Sequence, residues 1–279
     1  MLSIVIPAYN EERTIGHVLD VLAEADLLGL EREIIVVDDG SSDATFEVAT
    51  SYLRAIPNLK VARCHRNGGK GTALRVGFGL TSGDYVVVQD ADLEYDPADL
   101  HLLIRPLLDN RADVVVGSRF SGGRPRRVVY HMNTLGNRAM TALSNVLSGL
   151  SLTDIHSCYM MFDGAFIRSI APTLQSDRWG FNPEIVAHMA DERRHLRIVE
   201  VGISYYGRSK EEGKKIAFRH GLIAVAEIIK FNLPFRRSSR RRPLAAYTLV
   251  DAKTLDVDAA IAAELGNRAT TSPGPGAAR

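Results

Sequence analysis

Short apolar runs recur along the first half of this chain, and nearly all of them stop at an acidic or small polar cluster. Residues 2–7 (LSIVIP) lead to Tyr9-Asn10-Glu11, and 33–37 (EIIVV) lead to Asp38-Asp39. Residues 85–89 (YVVVQ) lead to Asp90-Ala91-Asp92, and 113–117 (DVVVG) lead to Ser118-Arg119. Residues 59–64 (LKVARC) form a further run. Runs this short, with little polar alternation, suit strands covered on both faces. Between them lie stretches with helical spacing, such as Ile15, Val18, Leu19 and Leu22. Asn10 with Glu11-Glu12 reads as the start of that first helix, and Asp43 as the cap of a second one reaching about Ala55. Residues 68–71 read as a tight loop before a helix through Leu80, and Asp96-Pro97 as the opening of the next. Strands alternating with helices imply βαβ units, hence an α/β fold with a mostly parallel sheet. Ligands of such sheets bind beyond the carboxyl ends of the strands, which is where the acids fall.

The rest of the chain is less regular. Residues 132–148, 183–190 and 215–231 have helical periodicity, the last with Phe218, Leu222, Val225 and Ile229 on one face. Residues 196–204 read as a strand, and 153–162 as either strand or loop. After Pro234 the composition changes to a basic block of Arg236, Arg237, Arg240, Arg241 and Arg242, then to a tail, TSPGPGAAR, of disordered composition. The expected division is a catalytic domain over 1–231 and a basic segment with disordered tail over 232–279.

Charge and cysteine usage exclude several classes of function. The formal net charge of +1 across 279 residues argues against a nucleic-acid binder. Cys64 and Cys158 lack the spacing of a zinc site or disulfide scaffold, which fits a reducing compartment. No signal peptide or run long enough to span a bilayer is read. The expected location is cytoplasmic, including the cytoplasmic membrane face if the amphipathic segment and arginine block meet anionic lipid.

The chemistry centres on Asp90-x-Asp92. Paired carboxylates at a strand end repel unless a cation lies between them, and oxygen ligands suit Mg²⁺ or Mn²⁺. Glu94 is near enough in sequence to be a third ligand; the alternative is an exposed acidic turn. Asp38-Asp39 either accepts hydrogen bonds from a base or ribose or ends a capping turn. Tyr9 either stacks on a base or packs in the core. Arg119, and the group Arg208, Lys210, Lys214 and Lys215 around Gly207 and Gly213, offer positive charge to a diphosphate leaving group. Trp179-Gly180-Phe181 either lines a subsite or packs. His131, His156, His188 and His195 are scattered and read as structural or surface residues, and Cys158 as a small buried one.

Seven segments in order, IVIPAYNEE, IIVVDDGSSD, NGGKGTALRVGF, SGDYVVVQDADLEY, DVVVGSRF, LTDIHSCYMMF and YYGRSKEEGKKI, resemble family 2 glycosyltransferases. Within that family they resemble the polyprenyl-phosphate sugar transferases of the dolichol-phosphate mannosyltransferase type. The resemblance covers roughly residues 1–231. It implies a GT-A fold with a Rossmann-like central sheet, and a nucleotide-sugar pocket of Pro7, Tyr9, Glu11, Val37, Asp39, Asp90 and Ala91. It implies a metal on Asp92 and Glu94, although relatives often carry Gln at the latter position. Arg119 matches an arginine facing the diphosphate and acceptor, and Arg208 with nearby lysines matches a basic motif. Asp154 falls where many members place an acid or base. A lipid phosphate is already largely ionised at neutral pH, so Asp154 is read as orienting more than as a proton acceptor. The implied reaction is inverting transfer from a UDP- or GDP-linked sugar to a polyprenyl phosphate. A soluble acceptor and a sugar nucleotidyltransferase are the alternatives, and the latter lacks its Gly-rich basic loop at residues 7–11.

Overall fold

The computed structural model describes residues 1–127, 131–178, 180–192, 195–207, 218–233 and 241–254. Its frame is one eight-stranded sheet. The strands are β1 (Leu2–Ala8), β2 (Arg32–Asp38), β3 (Leu59–Cys64), β4 (Tyr85–Val88), β5 (Val114–Ser118), β6 (Met160–Asp163), β7 (Ile198–Gly202) and β8 (Tyr247–Asp251), in the order β7-β5-β6-β4-β1-β2-β3-β8. β1 pairs parallel with β2 and β4, as do β2 with β3 and β5 with β7, whereas β6 runs antiparallel to β4 and β5 and β8 antiparallel to β3. The sheet is therefore mixed and mostly parallel, as the βαβ spacing predicts.

Both faces are covered, which explains apolar runs without alternation. Ile4, Ile6, Ile34 and Val36 pack on one side with Val18 and Leu22 of α1 (Ile15–Glu24) and Leu103 and Leu107 of α4 (Leu100–Leu108). Val5, Ile35 and Val37 pack on the other with Leu74 and Phe78 of α3 (Lys70–Leu80) and Ile185 and Met189 of α7 (Phe181–Asp191). The remaining helices are α2 (Thr45–Ser51), α5 (His131–Ser148), α6 (Gly164–Ile170) and α8 (Phe218–Asn232).

The topology gathers polar ends on one rim. β1, β2, β3, β4, β5 and β7 finish there, while β6 and β8 begin there. The chain moves from β1 outward to β2 and β3, then crosses to β4 on the other flank. The boundary between β1 and β4 is thus a switch point, where open α/β sheets leave a crevice.

The structure departs from the sequence reading at three places and decides a segment left open, 153–162. The first helix starts at Ile15, not near Asn10; Asn10 has φ 54°, and the Glu11 carbonyl accepts from Thr14 and Ile15 N–H. Asn10 Oδ1 instead accepts from Ser42 N–H, tying this turn to the end of β2. The second helix ends at Ser51, where the Thr50 and Ser51 hydroxyls bond back to carbonyls of the preceding turn. Asp43 does bond its first turn, through Thr45 N–H at 3.1 Å. In 153–162 only the last residues are strand. Finally, the sheet extends beyond the expected boundary at 231, because β8 caps the β3 edge. That pairing joins positions far apart in sequence, so local composition does not announce it. Residues 255–279, including the TSPGPGAAR tail, lie outside the described residues.

Candidate active site

On the β2 side of the rim, the two adjacent aspartates face different ways. Asp38 is buried and takes Ser41 N–H and the Arg63 guanidinium, 3.2 Å away, so it braces its own turn. Asp39 reaches across to the loop before α3. Its carboxylate accepts from Gly68 N–H at 2.9 Å, Gly69 N–H at 2.6 Å and Asn67 Nδ2 at 3.0 Å. Burial pushes its pKa up against those hydrogen bonds. The loop then delivers Lys70, whose Nζ lies 2.5 Å from Asp90 Oδ1. Burial disfavours the lysine's charge, but Asp90 beside it outweighs this and raises the Lys70 pKa.

Asp90 opens the turn that follows β4. Buried Gln89 donates to the carbonyls of Asp90 and Tyr95 and so closes the turn across its base. Leu93 adopts φ 59°, unusual for a residue with a side chain, and Asp92 Oδ1 accepts from Glu94 N–H at 3.1 Å. Glu94 Oε2 accepts from the Tyr205 hydroxyl at 2.7 Å.

Tyr205 connects this turn to the β5 end. It lies in the segment after β7, its ring is 5.3 Å from that of Tyr95, and the Arg119 guanidinium sits 5.0 Å from its centroid. Arg119 is held side-on by Asp154, Nε to Oδ2 at 2.6 Å and Nη2 to Oδ1 at 2.8 Å. Asp154 is fully buried, and Asn137 Nδ2 and His156 N–H complete its shell. Burial opposes its ionisation, yet the Arg119 charge and these hydrogen bonds hold its pKa below the ordinary aspartate value. It is therefore held as a carboxylate paired with Arg119. Burial lowers the His156 pKa to about 4 and pushes the Cys158 thiol up to about 11, so both are neutral near pH 7.

The inner face of α5 explains this arrangement. Asn137, Thr141, Ser144 and Ser148 repeat at helical spacing and point inward. Asn137 serves Asp154, and Asn145 makes two hydrogen bonds to the backbone of Leu152. The helix thus turns polar groups toward the loop that carries Asp154. Its outward residues are apolar apart from Arg138, with Leu135 52% and Val146 81% exposed, and α8, packed beside it, exposes Ile223 and Ile229.

The remaining expected residues take varied places. Tyr9 is 39% exposed on the rim, and Glu11 N–H bonds to Thr45 Oγ1 behind it, with Pro7 half-buried at the end of β1. The side chains of Val37 and Ala91 are buried, so they back the rim from behind. Phe181 packs against Phe78, 6.0 Å between centroids, and is core. Arg208, Lys210, Lys214, Lys215 and Trp179 lie outside the described residues. A recess of about 390 Å³ lies off the β2 and β3 ends, lined by Gly40, Ser41, Arg63, Cys64, His65 and Thr248. It flanks the Asp39 turn and is separate from the Asp92 and Arg119 region.

Sequence reasoning passed over Lys70, Asn137 and Tyr205. Lys70 stands inside the quoted NGGKG segment, and the polar periodicity of α5 marks Asn137. Tyr205 opens the quoted YYGRSKEEGKKI segment, but its partners come from separate loops and are not visible in the sequence.

Among the described residues, no three His, Cys, Asp or Glu side chains converge as a ready metal cage. Asp90, expected among the ligands, is drawn to Lys70. The other two expected ligands, Asp92 and Glu94, flank Leu93 in the same turn. One or two carboxylates suit an ion of the Mg²⁺ or Mn²⁺ kind, which completes its shell with water and substrate phosphate. The residues therefore fit such an ion arriving with a diphosphate.

A family profile described as Glycosyl transferase family 2 matches residues 3–169. A dolichol-phosphate mannosyltransferase of Pyrococcus furiosus is 30% identical over 222 residues, 77% of this chain and 60% of that protein. A dolichyl-phosphate beta-glucosyltransferase of Dictyostelium discoideum is 30% identical over 218 residues, 73% of this chain and 66% of its own length. The chain thus spans under two thirds of these relatives. Among solved structures, glucosyl-3-phosphoglycerate synthase of Mycobacterium tuberculosis, in complex with Mn²⁺, UDP and phosphoglyceric acid, superposes with a TM-score of 0.60 at 22% identity, covering 90% of this chain and 86% of that one. The shared architecture is the GT-A fold.

Proposed function

Since the chain belongs to glycosyl transferase family 2, we propose that it moves a hexosyl unit from a nucleotide sugar to the phosphate of a polyprenyl carrier, with inversion. The observation that carries this reading is the Arg119 guanidinium, fixed side-on by buried Asp154 and joined through Tyr205 to the turn bearing Asp92 and Glu94. It sets a rigid cation beside a turn suited to a metal-bound diphosphate. Two anionic groups must meet in the reaction, the acceptor phosphate and the donor diphosphate, and such a site supplies the charge that lets them approach.

An acceptor phosphate oxygen forms the new bond to the anomeric carbon. The bond from that carbon to the donor β-phosphate oxygen breaks, and its electron pair leaves on the nucleoside diphosphate. In-line displacement turns an α-linked donor into a β-linked product, in keeping with the beta-glucosyl product named for the Dictyostelium relative. Mg²⁺ or Mn²⁺ held by Asp92 and Glu94 would neutralise charge on the leaving diphosphate. Lys70 cancels the charge of Asp90 at the same turn. Arg119 holds and orients the acceptor phosphate, and Asp154 fixes Arg119. No protein base is required, because the attacking phosphate is ionised near neutral pH. On the nucleotide side, Tyr9 offers a stacking surface and Asp39 shapes the wall. Arg208, Lys210 and Lys214 are proposed to add phosphate contacts.

The lipid acceptor is supported by the outward apolar faces of α5 and α8, the first of which also holds the Asp154 loop. Among the described residues no helix is long and apolar enough to cross a membrane. Residues 131–148 carry no acidic side chain, and Arg236, Arg237, Arg240 and Arg241 follow α8 in sequence, a pattern suited to peripheral contact with anionic lipid. A soluble phosphorylated acceptor is the second reading, supported by the phosphoglyceric acid bound in the mycobacterial structural neighbour.

The test is a donor-by-acceptor panel of UDP and GDP sugars against polyprenyl phosphates and phosphoglycerate, with and without Mn²⁺. Mn²⁺-dependent release of nucleoside diphosphate with the polyprenyl phosphates is expected. Turnover with phosphoglycerate alone moves the acceptor to the second reading, and pyrophosphate release in a parallel arm given a nucleoside triphosphate and a sugar 1-phosphate makes the protein a nucleotidyltransferase.

A further inference from the structure

Arg242 belongs by sequence to the basic block that follows α8, yet it does not stand out in solvent as a lipid-facing charge would. Its backbone N–H donates to the Pro172 carbonyl at 2.8 Å. Its guanidinium donates to the Gln175 carbonyl at 2.6 Å and to Asp177 Oδ1 at 3.1 Å. Asp177 is also gripped by Arg75, only 4% exposed, at 2.6 Å, and by the Thr72 hydroxyl at 2.9 Å. Arg75 in turn donates to the Ser176 carbonyl. From the other side, Glu184 accepts the N–H groups of Gln175 and Ser176. Residues 175–177 are thereby fixed from α3, from α7 and from the C-terminal segment together.

What they support is the loop that carries Lys70. The Asp177 carbonyl accepts the N–H groups of Gly71 at 2.9 Å and Thr72 at 3.2 Å, the first turn of α3. The approach is close: Gly69 has φ 94°, and a Cβ there would lie 2.5 Å from the Asp177 carbonyl oxygen. The front of the same loop binds Asp39 through Gly68 and Gly69, and its next residue, Lys70, pairs with Asp90. A short Gly-rich loop has little rigidity of its own, so its position is set by what holds its two sides. Asp39 holds the front and the 175–177 strut holds the back.

We propose that Arg242 is a positioning residue for the donor half of the site, acting through residues 175–177 on the loop that presents Lys70. The proposal rests on the reading of that half as a nucleotide-sugar pocket, but the bracing itself does not. Segment 241–251 then has a double attachment, Arg242 behind the loop and β8 on the β3 edge, and is part of the catalytic domain.

The experiment compares Arg242→Ala, Arg242→Lys and Arg241→Ala, the last removing an exposed neighbour of the same charge. Two measurements are made on the full chain: amide hydrogen exchange in residues 68–72, and calorimetric binding of UDP and GDP with Mn²⁺. Arg242→Ala is expected to speed exchange at Gly71 and Thr72 at least tenfold and to weaken nucleotide binding by about tenfold. Arg242→Lys recovers part of both, since it keeps the charge but not the forked geometry, and Arg241→Ala changes neither. Exchange at Gly71 and Thr72 that matches wild type in Arg242→Ala overturns the proposal, as does a general rise in exchange across the sheet without a local one. If wild type binds neither nucleotide, the donor reading fails while the exchange result still decides the role of Arg242.

Discussion

The turn after β4 and the end of β5 lie on the same rim, and each presents carboxylates, but their surroundings differ. Asp154 is fully buried, meets a guanidinium at two points and has its remaining capacity taken by Asn137 and the His156 amide. Asp92 and Glu94 are half-buried, in a turn where a backbone N–H and a tyrosine hydroxyl reach them. The first arrangement spends a negative charge inside the protein to fix a positive one. The second sets two carboxylates side by side in one turn at the crevice, bonded by a backbone N–H and a hydroxyl. The proposed transfer between two phosphates asks for both, a cation that is already oriented and a place where a further cation would be recruited with the substrate.

Removing the recruited side should cost most. Asp92→Asn is expected to lower sugar transfer on the order of a thousandfold with little change in melting temperature. Retained turnover in that variant, or in wild type with excess chelator, would erase the distinction drawn between the two carboxylate sites.

The oriented side should fail differently. Arg119→Ala strands a buried carboxylate, so a stability loss of about 3–5 kcal/mol is expected along with lost activity. Asp154→Asn keeps the shape and leaves Arg119 loosely held. It should reduce turnover without abolishing it, and the pH profile should not shift. Complete loss with a changed acid limb would instead make Asp154 a proton acceptor.

A smaller effect sharpens the comparison at the back of the donor loop. Burial pushes Glu184 up to about 7, against an ordinary value of 4.5. The native state keeps this proton through a range where the unfolded chain has released it. Stability should therefore fall as pH rises from about 4.5 to about 7, by roughly 3 kcal/mol from this residue. Denaturant unfolding across that range should show the slope in wild type and lose it in Glu184→Gln; equal slopes would mean the two backbone N–H donors keep Glu184 ionised.

Much of the central frame was legible because each strand is locally apolar and each helix locally periodic. The acids at the ends of β1, β2 and β4 could be placed on one rim from topology alone. What those acids bond was not legible. Lys70 and Asp90 are separated by a helix and a strand, and only the pairing of β1 with β4 brings them together. The periodicity of residues 132–148 predicted a helix but not its facing, since α5 buries its polar residues beneath a loop that needs donors. β8 escaped notice because an edge strand with partly exposed side chains has little pattern of its own. Its pairing depends on β3 being present to receive it.

That dependence bears on how the polypeptide is made. β3 is synthesised early, but its outer hydrogen-bonding edge is covered only when residues 247–251 arrive, after most of the chain. Contacts this distant in sequence close slowly. A nascent chain therefore carries an open β-edge through most of its synthesis, and aggregation in the cell should be governed by that interval more than by the stability of the finished protein.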